Sequence, residues 1–256
     1  MTLALRRPLA LSLLLTAPTL ALAQAQATVK PDGEFRYALG VGASFQSGNT
    51  DASSVNISGD GVRATADSKW QIGGKALRAN TNGARSAENV LLGTQYDRDV
   101  TPQWFTLVKA DVLHDKLANI SSRASIFGGL GRHLAKSETL TWDVSTGLGY
   151  THDRYIDATV VAGETRTTYG RAELLLAEES THKWTPTTSF HQKLSIYPAL
   201  ASHGTYRGVF DAGLSVAINA KLSLTAGLNY RYDSDPGEGL ERGDTLFVTG
   251  IALKMD

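Results

Sequence analysis

Two sets of residues in this sequence have types and spacing that could do chemistry. His152-Asp153, with Asp115, Asp157 and Asp233, would supply the imidazole–carboxylate and carboxylate pairs that activate a water for peptide hydrolysis. His114, with Ser121 or Ser122 and Asn119, would supply a base, a nucleophile and an orienting amide for acyl transfer from a phospholipid. Neither set is a motif, because aspartates, serines and asparagines at loop edges are ordinarily just solvated. The sequence holds no G-x-S-x-G, no H-E-x-x-H and no phosphate-binding loop, so no catalytic residue is assigned. The histidines (His114, His133, His152, His182, His191 and His203) are scattered rather than convergent, which assigns no metal. No cofactor is implied either. With no cysteine, thiol catalysis, disulfides and cysteine–zinc sites are excluded.

The elements that would position such residues are strands. Over 205–233, Tyr206, Phe210, Ala212, Leu214, Val216 and Ile218 alternate with polar or small residues, and Leu222, Leu224, Ala226, Leu228, Tyr230 and Tyr232 repeat the pattern. Two arms of more than about ten alternating residues, joined by Asn219-Ala220-Lys221, predict a long β-hairpin. Soluble strands are about half that length, whereas strands of about ten residues with one apolar face suit a transmembrane β-barrel.

The rest of the chain repeats this unit. Strands are predicted from Phe35 to Phe45, 52–66, from Lys69, around Val90 to Tyr96, from Trp104, 122–134, from Leu140 to Tyr150, around Thr168 to Leu176, and from Trp184 to Ile196; the last runs from Phe247 to Met255. Polar loops are expected at 80–87 and 233–243, with the longest at 153–164. The sum is an all-β, antiparallel, up-and-down transmembrane β-barrel of about twelve strands, an even number as single-chain bacterial barrels have. Trp70, Trp104, Trp142 and Trp184 all fall near the start of odd-numbered strands and so share one rim. Tyr150, Tyr197, Tyr206 and Tyr230 fall at the other ends, giving the two aromatic girdles that headgroup regions favour. Short connections on the tryptophan side place both termini in the periplasm.

The polar phase carries Lys75, Lys109, Asp111, Asp143, Arg171, Glu173, Lys193, Arg207, Asp211 and Arg231, with His191. Asp111 beside Asp143 and Lys193 beside Arg207 are expected on neighbouring strands. Such a lining reads two ways: it pairs across a narrow interior and fills it, or it lines a water-filled path and selects ions. In the second case its surplus of cations predicts a weak anion preference.

The chain begins with Arg6-Arg7, an apolar run from Leu9 to Leu15 and Ala21-Leu22-Ala23, the pattern of a cleaved export signal, with a second such site at Ala25-Gln26-Ala27. The expected organisation is a signal peptide over 1–23, a short periplasmic leader over 24–34 and an outer-membrane barrel over 35–256. No basic tail or patch points to nucleic acid. The exported leader, the first strand running into Phe45-Gln46-Ser47-Gly48-Asn49-Thr50 and the meander after it resemble the YdiY-like family, described as salt-induced outer-membrane proteins with a domain of unknown function. Barrels usually end on an aromatic residue, whereas this chain ends Lys254-Met255-Asp256. The expected location is the outer membrane of a Gram-negative-type bacterium. The expected partners are outer-membrane lipid and, during biogenesis, the barrel-assembly machinery; oligomeric state is left open. The leading role is a narrow passive channel or structural envelope barrel, with the salt or osmotic link implied by the resemblance. The alternatives are a rim-located hydrolase, protease or phospholipase, and a closed barrel that binds a partner through its loops.

Overall fold

The computed structural model describes residues 27–46, 51–201 and 204–255. The signal peptide expected over 1–23, Gln24 to Gln26 and the Ser47-Gly48-Asn49-Thr50 motif lie outside the described residues. Twelve strands follow one another: β1 (Phe35–Gln46), β2 (Ala52–Ala64), β3 (Ser68–Thr81), β4 (Ala84–Asp99), β5 (Trp104–Asp115), β6 (Ile120–Lys136), β7 (Leu140–Val161), β8 (Glu164–Lys183), β9 (Thr188–Pro198), β10 (Tyr206–Ala217), β11 (Leu222–Asp233) and β12 (Gly243–Met255). Each pairs antiparallel with its sequence neighbours, and β12 returns to β1, so the sheet is a closed up-and-down barrel. Closure pairs every strand on both sides over at least part of its length.

The ladder that closes the ring is the shortest. Among the described residues β1 meets β12 only over 37–41 against 251–255, whereas β1 pairs with β2 over its whole length. The predicted alternation holds along the wall. Leu39, Val41, Ile57, Leu92, Val108, Ile126, Leu148, Leu224 and Ile251 are exposed on the outside, and the intervening residues turn inward. Gly129 and Gly147 sit back to back on β6 and β7, where a Cβ on either would run into the other strand's backbone.

The loop expected over 153–164 is strand instead. β7 runs on to Val161 and β8 starts at Glu164, with a two-residue turn in which Ala162 and Gly163 take φ of 52° and 77°. Two successive positive-φ residues make the tight connection that matches strand twist, and Thr159, Val160, Thr165 and Thr168 supply the β-branched residues that favour an extended chain. The loop expected over 80–87 likewise narrows to a turn at Asn82-Gly83. The long hairpin leans on its neighbours: the Ala162 N–H donates to Asp235 Oδ2 at 2.8 Å and the Asp157 N–H to Asn119 Oδ1 at 2.9 Å. Ile120, Tyr155 and Val161 form a small buried cluster beneath it.

At the opposite end the leader curls back to the barrel mouth. The Gly33 N–H donates to Ala64 O at 2.7 Å, and Arg63 Nε donates to Gly33 O at 2.7 Å. Ala27 packs against Ala38, Val62 and Ala252, and its N–H donates to Asp60 Oδ2 at 2.9 Å. Beside the mouth, the Arg36 guanidinium binds Asp32 and holds its carboxyl well below the usual carboxylate range.

Candidate functional site: the barrel interior

Inward side chains on twelve strands must share a narrow space, and many of them are charged. Toward the end distant from the termini, β6, β7, β8 and β10 build an alternating ladder of ions. Arg123 grips Asp153 through Nε–Oδ1 at 2.6 Å and Nη2–Oδ2 at 2.9 Å. Arg171 binds Asp153 Oδ2 and Glu173 Oε1, each at 2.8 Å. Arg207 takes both Glu173 oxygens, Nη2–Oε2 at 2.6 Å and Nε–Oε1 at 3.0 Å. Thr151 Oγ1 lies 2.5 Å from Glu173 Oε2, and Asp233 adds a further carboxylate 3.4 Å from Arg123 Nη2. Both central carboxylates are fully buried, at 0 % exposure. Buried charges persist only when paired and hydrogen-bonded, and here Asp153 and Glu173 each bind two arginines.

Below the ladder the interior is apolar. Phe105, Leu107, Phe127, Leu175 and Tyr197 form a buried cluster, with the Phe127 and Tyr197 rings 5.1 Å apart. Lys109 Nζ donates to Tyr197 Oη at 2.6 Å, and the Arg207 guanidinium lies 4.9 Å from that ring's centre. Nearer the termini, Lys193 reaches Glu179 at 2.8 Å and Gln95 at 3.2 Å, while Lys69 faces Asp97 at 3.5 Å. His133 stands between Asp143 at 2.6 Å and Asp99 at 3.1 Å. Several of these contacts are chords across the lumen. Lys75 on β3 reaches Asn229 on β11 at 2.6 Å and Asp211 on β10 at 3.4 Å. Lys109 to Tyr197 and Lys193 to Gln95 cross in the same way. The cavity left between Lys69, Asp97, Lys109, Glu179 and Lys193 has room for about one water.

The remaining wall, on β11, β12, β1 and β2, is built differently. Gly40, Gly42, Asn56, Ser58, Ser223, Thr225, Gly250 and Ala252 face inward there. This side carries small residues, and the leader's Ala27 lies against its lower part.

The structure turns all the predicted lining residues inward: Lys75, Lys109, Asp111, Asp143, Arg171, Glu173, Lys193, Arg207, Asp211, Arg231 and His191. Lys193 and Arg207 do lie on neighbouring strands, though Lys193 stands opposite Asp211 and Arg207 opposite Tyr197, whereas β6 separates Asp111 from Asp143. Sequence reasoning missed Asp60, Lys69, Asp97, Arg123, Asp153, Glu179 and Asp233, although each lies in the inward phase of its strand. Adding them removes the expected surplus of positive charge, and with it the basis for an anion preference.

Trp70, Trp104, Trp142 and Trp184 point outward at the end carrying the termini, and Tyr150, Tyr206 and Tyr230 point outward nearer the other end. Tyr197 is a correction: it is 4 % exposed and inside, because it shares its phase on β9 with Lys193 and its hydroxyl meets Lys109. The candidate hydrolytic pair also separates. His152 is on the outer face while Asp153 is inside, held by two arginines. His114 Nδ1 lies 2.9 Å from the backbone oxygen of Ser121 rather than a hydroxyl, and Asn119 is spent on Asp157. Among the described residues no group of three or more His, Asp or Glu could hold a metal.

The uncharacterized protein YdiY of Escherichia coli (strain K12) is 25% identical over 224 residues, covering 86% of this chain and 83% of that one. Among solved structures, the NanC porin superposes with a TM-score of 0.50 at 10% identity, covering 86% of this chain and all of that one. The translocator domain of the autotransporter NalP from Neisseria meningitidis follows with a TM-score of 0.46 at 8% identity, covering 87% of each chain. The porin likeness shows the fold, that of an outer-membrane barrel. The profile of the family described as "Protein of unknown function, DUF481" matches residues 39–254, and the chain belongs to that family.

Proposed function

We propose that the protein is an exported outer-membrane barrel of the Gram-negative type that holds its own lumen shut. It serves the envelope as a structural element and passes solute only when that closure is disturbed. The observation that carries this reading is Lys75, whose ammonium spans from β3 to Asp211 and Asn229 on the far wall. Above it, the Arg123–Asp153–Arg171–Glu173–Arg207 ladder fills the section with groups that satisfy one another. An open porin keeps a water-filled bore, and this interior instead spends its charges on direct pairs. The outward belt of leucine, valine and isoleucine between tryptophan and tyrosine rims supports placement in lipid.

Reconstitution into planar bilayers tests the reading. The wild type should be silent at moderate voltage, and Lys75→Ala or Arg207→Ala should give discrete conductance steps. Ohmic steps from the wild type at rest would overturn it in favour of a standing channel. The link to salt or osmotic adaptation is carried by the family resemblance. Growth of a deletion strain in high salt, with and without the wild-type chain restored, tests it separately.

His152 and Asp153 face opposite sides of the wall, so this pair does not assemble as a rim protease would need.

A further inference from the structure

At the end that carries the termini, three arginines stand outward on successive even strands. They are Arg63 on β2, Arg98 on β4 and Arg132 on β6, all exposed. Arg63 is registered against Trp70 and Arg132 against Trp104, while Arg98 lies between them, beside Ser68 and Thr106. Strand tilt makes a level line slip along the register from one strand to the next. From Arg63 the register runs through Trp70 to Tyr96, and Arg98 is two residues nearer the termini. From Arg98 it runs through Thr106 to Leu130, and Arg132 is again two residues nearer. The tryptophans slip in the same sense, by four residues from Trp70 to Trp104 and by two from Trp104 to Trp142. The arginines therefore follow the aromatic rim.

None of the three has an ion pair among the described residues. Arg63 Nε donates to Gly33 O at 2.7 Å, and the Arg132 guanidinium lies 5.5 Å from the Trp104 ring centre. The Arg98 guanidinium has no hydrogen-bond partner among the described residues. Outward charge at the far end is balanced instead: Arg78 is registered against Glu88, which also binds Arg85 at 3.2 Å. Further round the near rim, Ser180 is registered against Trp142 on β8, and Val216, Leu253 and Met255 take the last outward places on β10 and β12. The unbalanced cations are confined to the arc from β2 to β6.

We propose that this arc binds the phosphodiester headgroup of an anionic phospholipid, of the phosphatidylglycerol type, in the leaflet that the termini face. The inference rests on the placement in lipid proposed above. Charge complementarity selects the occupant. Three guanidiniums without carboxylates form a positive band at the level where tryptophan rings mark the headgroups. Basic residues at that level attract anionic lipid. The planar fork of a guanidinium matches two oxygens of one phosphate, and hydrogen bonds between ions are about twice as strong as neutral ones. A zwitterionic headgroup carries its own ammonium and so gains less from the band. Trp70 and Trp104, both exposed, would flank the glycerol and the upper chains of lipid held between the arginines. The wall from β8 to β12 would meet lipid without selecting it.

Tryptophan fluorescence reads the arc directly, because two of the four tryptophans lie in it. Trp142→Phe with Trp184→Phe leaves Trp70 and Trp104, and Trp70→Phe with Trp104→Phe leaves the other pair. Each variant, purified folded from membranes, is reconstituted in phosphatidylcholine vesicles with a minor share of chain-brominated phosphatidylglycerol, which quenches tryptophan on contact. At Trp70 and Trp104 the local share of the brominated lipid should be at least about fivefold its bulk share, the gain expected of one basic residue at a charged surface. At Trp142 and Trp184 it should equal the bulk share, and chain-brominated phosphatidylcholine should quench both pairs at its bulk share. Changing Arg63, Arg98 and Arg132 together to Gln should return the arc to the bulk value, whereas changing them to Lys should keep most of the enrichment. Heat-modifiable mobility identifies variants that have folded. If the triple change does not fold, Arg98→Gln alone carries the test and should clearly lower the enrichment. Equal shares at the two tryptophan pairs, or an enrichment indifferent to the Gln changes, would overturn the proposal. Displacement of the brominated lipid by lipid A at the same phosphate content would overturn it in favour of the glycolipid. No quenching by either brominated lipid would overturn the placement in lipid itself, a distinct failure that takes this inference with it.

Discussion

The two sides of the barrel interior are closed by different means. From β6 to β10 the space is filled by long charged and aromatic side chains that bind one another, as in the contacts of Glu173 with Arg171, Arg207 and Thr151. From β11 through β12 and β1 to β2 the inward residues are mostly Gly, Ala, Ser, Thr and Asn, too small to cross the lumen. There the lower mouth is occupied by backbone from the leader, through Ala27. The first closure is specific to side-chain chemistry and strong where partners are complete. The second is a matter of fit, and depends on where one segment rests.

That contrast can be broken at several points, with effects of different size. The largest should come from Glu173→Ala, which strips Arg171 and Arg207 of a shared, fully buried carboxylate. Removing one partner of a buried pair costs about 3–5 kcal/mol, so urea unfolding in lipid vesicles should show a loss of that order together with frequent current steps. Next is the outer wall: Leu148→Arg should cost about 2–4 kcal/mol near mid-membrane. Arg at Gly213, an inward position where a Cβ would meet only Ala226 O at 3.9 Å, should be milder. Gly147 will not serve as the inward control, because the backbone of β6 occupies the space a side chain needs. Lys75→Met should cost about 1.5–3 kcal/mol, the value of hydrogen bonds to a charged group. It should open brief, small conductances by removing the chord between β3 and the β10–β11 side.

On the small-residue side the expected losses are lower. Ala252→Leu should displace Ala27 and cost about 1–3 kcal/mol through overpacking. Protease added at the mouth should then cut the leader faster, while the β6–β10 ladder keeps its stability. The smallest effect is expected from Asp32→Asn, which keeps a hydrogen-bonding side chain against the buried Arg36 and removes only the charge of its half-exposed partner. It should hasten leader proteolysis without a measurable shift in the unfolding midpoint. If Ala252→Leu disturbed the ladder as much as Glu173→Ala, the two closures would be one cooperative unit.

Much of this was legible in the sequence, because period two states which face each residue takes. The twelve strands, the tryptophan rim and the inward lysines and arginines all follow from phase alone. Tyr197 belongs to the girdle by its aromatic character alone; its phase with Lys193 puts it inside. Over 153–164 Asp, Ala and Gly break the apolar alternation and so predict a loop, although Thr and Val extend the strand on both sides. What phase cannot state is height. Whether Lys75 meets Asp211 depends on the stagger accumulated around the ring, which no local pattern encodes. The lining was therefore legible as a set and illegible as pairs, and the distinction between a pore and a filled core lies in the pairs.

The short ladder between β1 and β12 has a mechanical consequence. A cylinder held by many long backbone zips and one short one unravels at the short one, whatever its lining. Amides of Leu39, Val41 and Leu253 should therefore exchange with solvent deuterium ahead of those between β7 and β8, the longest strands. Ala27 packs against Ala38 on β1 and Ala252 on β12, so it lies behind that seam from within, as a latch lies behind a joint. Pulled apart by force, the molecule should part at this seam first, and a chain lacking residues 27–31 should part at lower load.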